Sequence, residues 1–220
     1  MRKLRNSTIG IVTLAIVLMG SMQTTFAGDH HEGWIKLMDG KTFKGWKITE
    51  ENPDTFQIVD GAFVAKGPRA HLFYNGSVKN HDFKNFELKV TVKTLKKSNG
   101  GIYIHTKFEK SGWPSKGYEI QVNNSHSDWR RTASVYAIKD VREKLKNDGE
   151  WYTYHLIVKG KKITVKLDGK TVNEYTEPEN AERPNGMKDR LLNSGTFGLQ
   201  GHDPGSTIYY KDIMVKPLAD

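Results

Sequence analysis

Cysteine is absent from all 220 residues. That excludes disulfides and thiolate metal sites and leaves stability to the core, which a chain of this length can supply. Beyond residue 27 no apolar run approaches the roughly 20 residues that cross a bilayer as a helix. Gly-x-Ser-x-Gly, phosphate-loop, nucleotide-fingerprint and His-Glu-x-x-His motifs are also missing, so the chemistries tied to them have no signature here. No repeat, low-complexity tract or linker divides the chain after residue 33. Helical patterning is nearly absent: only residues 140–147 and 178–192 lack strand-like alternation, and each can hold a helical turn or a long loop.

At the N-terminus, Arg2, Lys3 and Arg5 precede an apolar run over residues 9–19 and then Thr25-Phe26-Ala27. This is the pattern of a secretory leader cleaved after Ala27. The mature protein is expected to be exported, periplasmic or secreted, with a flexible tail over residues 28–33, in which His30 and His31 are inert, and one β-sandwich domain over 34–220. Of the 34 basic residues three belong to the leader, and the rest exceed the 25 acidic residues by only six. Lys89, Lys93, Lys159, Lys162 and Lys166 alternate with apolar residues, as on the solvated face of a sheet. A nucleic-acid ligand would want a concentrated basic patch, so none is predicted, nor is a protein partner.

Strand signals fill the remainder. Phe56 to Val59, Asp60-Gly61 and Ala62 to Ala65 read as a hairpin with a tight primed turn, and Asp168-Gly169 repeats the device between Leu167 and Val172. Residues 86–93 alternate strictly, and further strands are predicted at 101–106, 117–123, 133–138, 151–159, 196–200 and 207–216. Ten to thirteen strands without βαβ alternation predict an all-β jelly-roll sandwich of two antiparallel sheets. Trp34, Phe43, Trp46, Phe56, Phe86 and Trp151 are expected in its core.

Gly117-Tyr118-Glu119-Ile120-Gln121-Val122 is the most informative strand. Its alternation sends Tyr118, Ile120 and Val122 to one face and Glu119, Gln121 and Asn123 to the other. An acid and amides in a row suit sugar hydroxyls, which need paired donors and acceptors. His105, Tyr136, Gln200 and His202 are expected on neighbouring strands. Trp113 and Trp129 lie in polar segments flanking this strand, where a flat ring can stack on a sugar, and Arg130 can reach the same groove. A structural role remains the alternative for each of these residues. A divalent metal also stays open, because His105, Glu119, Asp128 and His202 are ligand types, but they show no diagnostic spacing and no metal ligand is assigned.

Several motifs together resemble the 3-keto-disaccharide hydrolase family, of the concanavalin-like lectin/glucanase type. They are Leu37-Met38-Asp39-Gly40 with Gly45-Trp46, Val59-Asp60-Gly61, Phe86-Glu87-Leu88, Asn99-Gly100-Gly101-Ile102-Tyr103, Gly117 to Gln121, Gly149-Glu150-Trp151, Leu167-Asp168-Gly169, Gly198-Leu199-Gln200-Gly201-His202 and Asp212-Ile213. The resemblance implies an enzyme acting on glycosides whose sugar is a ketone at carbon 3. The ketone acidifies the hydrogen at carbon 2, and loss of that proton expels the group at carbon 1. Such an enzyme needs a base, an acid and a donor for the enolate oxygen. Glu119 and His202 fit the acid and base, and His105 and Lys211 the enolate donors. This chain has His105 and Lys211 where many members carry arginine, and Asn124 where an acid is usual. Glucanases of similar fold use a Glu-x-Asp-x-x-Glu strand. Here Gln121 and Asn124 replace its second and third acids, which disfavours a paired-carboxylate mechanism. A carbohydrate-binding module of the same fold, without turnover, is the alternative function.

Overall fold

The computed structural model describes residues 33–184 and 186–219. The expected leader and all but Gly33 of the expected tail lie outside them. Among the described residues are thirteen strands: β1 (Ile35–Lys36), β2 (Trp46–Ile48), β3 (Phe56–Val59), β4 (Ala62–Lys66), β5 (Ala70–Tyr74), β6 (Phe86–Thr94), β7 (Gly100–Thr106), β8 (Tyr118–Val122), β9 (Tyr152–Lys159), β10 (Lys162–Leu167), β11 (Lys170–Thr176), β12 (Thr196–Gly201) and β13 (Thr207–Pro217). They form two antiparallel sheets of jelly-roll type. One runs β11-β10-β9-β6-β13-β4-β3, with β1 also paired to β13; the other runs β2-β5-β12-β7-β8.

Local chemistry accounts for the hairpins. Asp60 and Gly61 both have positive φ, 49° and 77°, as do Asp168 and Gly169, 46° and 82°, which is what a primed two-residue turn requires. In β6 the alternation is realised residue by residue. Phe86, Leu88, Val90 and Val92 are buried, and Leu88 and Val90 pair across the ladder with Leu156 and Tyr154 of β9. Full burial of each such aliphatic side chain contributes about 1.5–3 kcal/mol.

The five-stranded sheet differs, because β5, β7, β8 and β12 are buried on both faces. Leu72, Ile102, Ile104, Tyr118, Ile120, Val122 and Leu199 meet the other sheet in the core. Loop residues such as Trp113, Tyr136 and Arg190 lie over the opposite face. With the floor strands they enclose a cavity on that face.

Two expectations need correction. Residues 133–138 do not form a strand: Val135 makes isolated bridges to Ile120 and Lys139, because Ala133 and Ala137 have φ of 75° and 59° and turn the chain. Of the two options open for residues 140–147 and 178–192, a helical turn or a long loop, the described residues follow irregular chain. Trp151 and Trp34 are not core residues. Trp151 is 40% exposed, with Lys93 and Lys211 over its ring, and Trp34 packs beneath Lys89 on the outer face of the larger sheet. Trp46, Phe56 and Phe86 are buried as expected.

Candidate functional site

The alternation of β7 and β8 puts Tyr103 opposite Glu119 and Gly101 opposite Gln121. On the other side β12 and β5 bring Gln200 beside His71. Tyr103, Glu119, Gln121 and Gln200 floor a cavity of about 370 Å³, which is also lined by Asn99, Trp113, Tyr136, Met187, Arg190 and His202. The volume suits a small ligand.

Glu119 is 5% exposed. The Tyr103 hydroxyl donates to its Oε2 at 2.9 Å, and Gln200 Nε2 donates to its Oε1 at 3.0 Å and to Tyr103 Oη at 3.0 Å. With its amide oriented so that nitrogen and oxygen are both satisfied, Gln121 also donates to Glu119 Oε1 at 3.1 Å. Arg190 Nη2 stands 3.8 Å from Oε2. Burial pushes the carboxyl above its ordinary range, against the opposing pull of Arg190, Tyr103 and Gln200. Gly101 makes this placement feasible, since a Cβ there would lie 2.7 Å from Glu119 Oε1 and 2.8 Å from its Cγ.

Arg190 reaches the cavity from the pattern-free segment after β11, which is clamped at its root. Buried Glu177 accepts from Tyr118 Oη at 2.6 Å, Leu192 N–H at 2.7 Å and Lys161 Nζ at 2.7 Å, and pairs with Arg183 at 3.3 Å. Arg183 Nε in turn donates to the Arg190 carbonyl at 2.5 Å. Arg190 Nη1 is buried and has no hydrogen-bond partner among the described residues; the same holds for Gln200 Oε1 and for both ring nitrogens of His71. Such groups are costly to bury unpaired, and Arg190 and Gln200, which line the cavity, mark where a polar ligand belongs. Burial pushes the His71 imidazole down to about 3, so it is neutral.

The rim is aromatic. Trp113 is 44% exposed and packs on His202 with ring centroids 5.2 Å apart and edge-on to His71 at 5.7 Å, with the Arg69 guanidinium 5.0 Å above it. Its loop is tied down where Gly112 N–H donates to Glu51 Oε1 at 2.8 Å.

The structure thus brings together Glu119, Gln121, Tyr136, Gln200, Trp113 and His202. Five other sequence-expected residues lie elsewhere. His105 has φ of 53° at a register shift between β7 and β12, which breaks the alternation. Its ring donates from Nε2 to Lys84 O at 2.9 Å and accepts at Nδ1 from Asn193 N–H at 3.2 Å; burial lowers it to about 4. Lys211 is on the far sheet, over Trp151 at 4.4 Å. Asn123 knits its own loop, donating to the carbonyls of Asp128 and Arg130 and accepting from His126 N–H. Arg130 pairs with Asp140 at 3.3 Å and covers Tyr136, and Trp129 lies against Arg130 and Arg142. Among the described residues no group of three or more His, Asp or Glu is arranged to hold a metal ion, so His105, Glu119, Asp128 and His202 do not form a metal site.

Tyr103, Asn99 and Arg190 were not anticipated. Tyr103 has the apolar ring of a core residue with a hydroxyl that a strand pattern ignores, and nothing in residues 178–192 distinguishes Arg190 from a surface arginine. Asn99 stands beside Gly100-Gly101, and that close-packing glycine pair was the available signal.

A model described as a 3-keto-alpha-glucoside-1,2-lyase-like domain matches residues 33–216. A 3-keto-disaccharide hydrolase of Bacteroides thetaiotaomicron is 28% identical, covering 91% of this chain and 82% of its own. In fold the chain is similar to a glycosyl hydrolase candidate from Parabacteroides distasonis, with a TM-score of 0.71 at 23% identity over 86% of this chain and 95% of the other. It is also similar to a GH16 endo-beta-1,3(4)-glucanase, with a TM-score of 0.55 at 14% identity over 84% and 91%.

Proposed function

The chain belongs to the 3-keto-alpha-glucoside-1,2-lyase-like domain family, and from that premise we propose that it cleaves 3-keto-glycosides, including 3-keto-disaccharides, by acid–base elimination followed by hydration. The carrying observation is the pairing of Glu119, a carboxyl raised by burial, with an Arg190 guanidinium whose Nη1 has no partner among the described residues. A carboxyl whose proton affinity is raised by burial, beside a free buried donor, suits a substrate that needs leaving-group protonation and an enolate counter-charge.

In this reading the ketone oxygen at carbon 3 accepts from Arg190 Nη1. His202 takes the proton from carbon 2, and the released pair becomes the enolate. The enolate collapses to a carbon 1–carbon 2 double bond, the bond from carbon 1 to the leaving oxygen breaks, and Glu119 gives that oxygen its proton. Water then adds to carbon 1 as Glu119 accepts a proton from it, and protonated His202 returns its proton to carbon 2. Both residues are reset and one water is consumed. Arg190 replaces His105 and Lys211 as the enolate donor, since neither lines the cavity. Trp113 offers a face for the sugar ring. The binding-only alternative rests on the missing arginines and on two rim tryptophans, of which only Trp113 lines the cavity.

Incubating the purified protein with a 3-keto-disaccharide tests the reading. Turnover is expected, with Glu119→Gln slowed roughly 10²- to 10⁴-fold and Arg190→Met roughly 10²- to 10³-fold. Sugar binding with no turnover by the unaltered protein would refute it.

A further inference from the structure

Asp203 follows His202 at the end of β12. Its Oδ2 accepts from His202 Nδ1 at 2.8 Å and from Ser206 Oγ at 2.8 Å, and its Oδ1 accepts from Gly205 N–H at 2.8 Å. Burial would raise this carboxyl, but the donors outweigh burial and hold it below the usual carboxylate range. An ionised carboxylate can only accept. Neutral His202 must therefore carry its proton on Nδ1, and its lone pair falls on Nε2. That nitrogen makes no hydrogen bond among the described residues, on a ring that lines the cavity and is braced by Trp113.

The support extends outward. Asn99 N–H donates to Ser206 Oγ at 2.8 Å, so the hydroxyl's own hydrogen is left for Asp203. Asp128 N–H donates to His126 Nδ1 at 3.1 Å, which puts the proton of neutral His126 on Nε2, 3.8 Å from Asp203 Oδ2. Two imidazoles and a hydroxyl thus turn positive edges toward one carboxylate. The groups in electrostatic reach of His202 are Asp203 beside it, His126 across the loop, Glu119 on β8 and His71 on β5. Of these, Asp203 alone bonds to its ring.

We propose that Asp203 is the positioning residue that fixes His202 with Nε2 as its free nitrogen, and that Ser206 and His126 hold Asp203 in that role. The proposal rests on the reading of His202 as the base only for its effect on rate; the tautomer is a property of the free protein. A carboxylate holding the far nitrogen of an imidazole in this way sets both ring orientation and tautomer.

The test is Asp203→Asn, read by histidine ¹⁵N chemical shifts of the free protein, with a His202→Asn spectrum for assignment, and by kinetics on a 3-keto-disaccharide. The unaltered protein should show His202 as the Nδ1–H tautomer. In D203N the amide can donate to Nδ1, so the Nε2–H form should appear, with kcat reduced roughly 10²- to 10⁴-fold and KM nearly unchanged. Asp203→Glu, which restores a carboxylate, should recover part of the rate. An Nε2–H tautomer in the unaltered protein overturns the proposal whether or not the variant folds. A D203N protein that keeps either its tautomer or its kcat also overturns it. An unaltered protein with the Nδ1–H tautomer but no turnover would leave this positioning intact and sink the catalytic reading instead.

Discussion

Replacing His71 with Phe should flatten the acid side of the stability curve. His71 is fully buried, with its ring edges against Tyr103 and Trp113 and both nitrogens unpartnered among the described residues. Burial lowers it from 6.5 to about 3, so between those values the unfolded chain binds the proton more readily than the folded one. Stability is therefore whole above about pH 6.5 and is lost as the pH falls toward 3. At 1.36 kcal/mol per unit, the loss from this residue is about 3 kcal/mol by pH 4. His105, lowered to about 4, adds a loss of the same sign that the substitution leaves in place, so the difference between the two proteins isolates His71. Phe retains a planar ring and removes the unpaired nitrogens. Urea unfolding at pH 7, 6, 5 and 4 reads the effect. With a slope of about 2 kcal/mol per molar, the midpoint gap should widen in favour of the variant by roughly 1.5 M between pH 7 and pH 4. Parallel curves for the two proteins would refute the assignment of a neutral, dry imidazole.

Three further outcomes follow from the packing. Gly101→Ala places a Cβ 2.7 Å from Glu119 Oε1. It should cost about 1–3 kcal/mol by thermal unfolding and lower turnover on a 3-keto-disaccharide. Glu177→Gln leaves Arg183 buried without its carboxylate; it should destabilise by about 3 kcal/mol and speed proteolysis within residues 178–192, as mass spectrometry of the fragments would show. For the leader, N-terminal sequencing of protein from the natural host should begin at Gly28, and a start at Met1 would remove the expectation of export.

The legible part of the fold was whatever two-residue periodicity and Asp-Gly turns encode, and the ladders of β6, β9 and β10 follow it. Alternation also gave Glu119 and Gln121 their shared face. It failed at His105, where a positive φ and a register shift turn the side chain aside, and at residues 133–138, where two such angles bend the chain into bridges. Neither leaves a mark in apolar patterning. Trp151 and Lys211 misled for a related reason: an aromatic in a strand can serve the outer face when lysines cover it. The site was half visible because strands supply Glu119, Gln121 and Gln200, whereas Arg190 arrives on irregular chain held by Glu177, whose own partners lie as far off as Tyr118. Long-range pairing of that kind has no local sequence signature.

Strand β12 sits between β5 and β7 although it begins at Thr196, 90 positions after β7 ends at Thr106. The smaller sheet therefore has a gap at its centre until residues 196–201 are present. Closing loops of that length before any pairing is gained makes folding slow. The cavity, with Gln200 and His202 on or just beyond β12, assembles in the same late event. A chain stopped short of Thr196 lacks both the central strand of the smaller sheet and two residues of the cavity lining, Gln200 and His202.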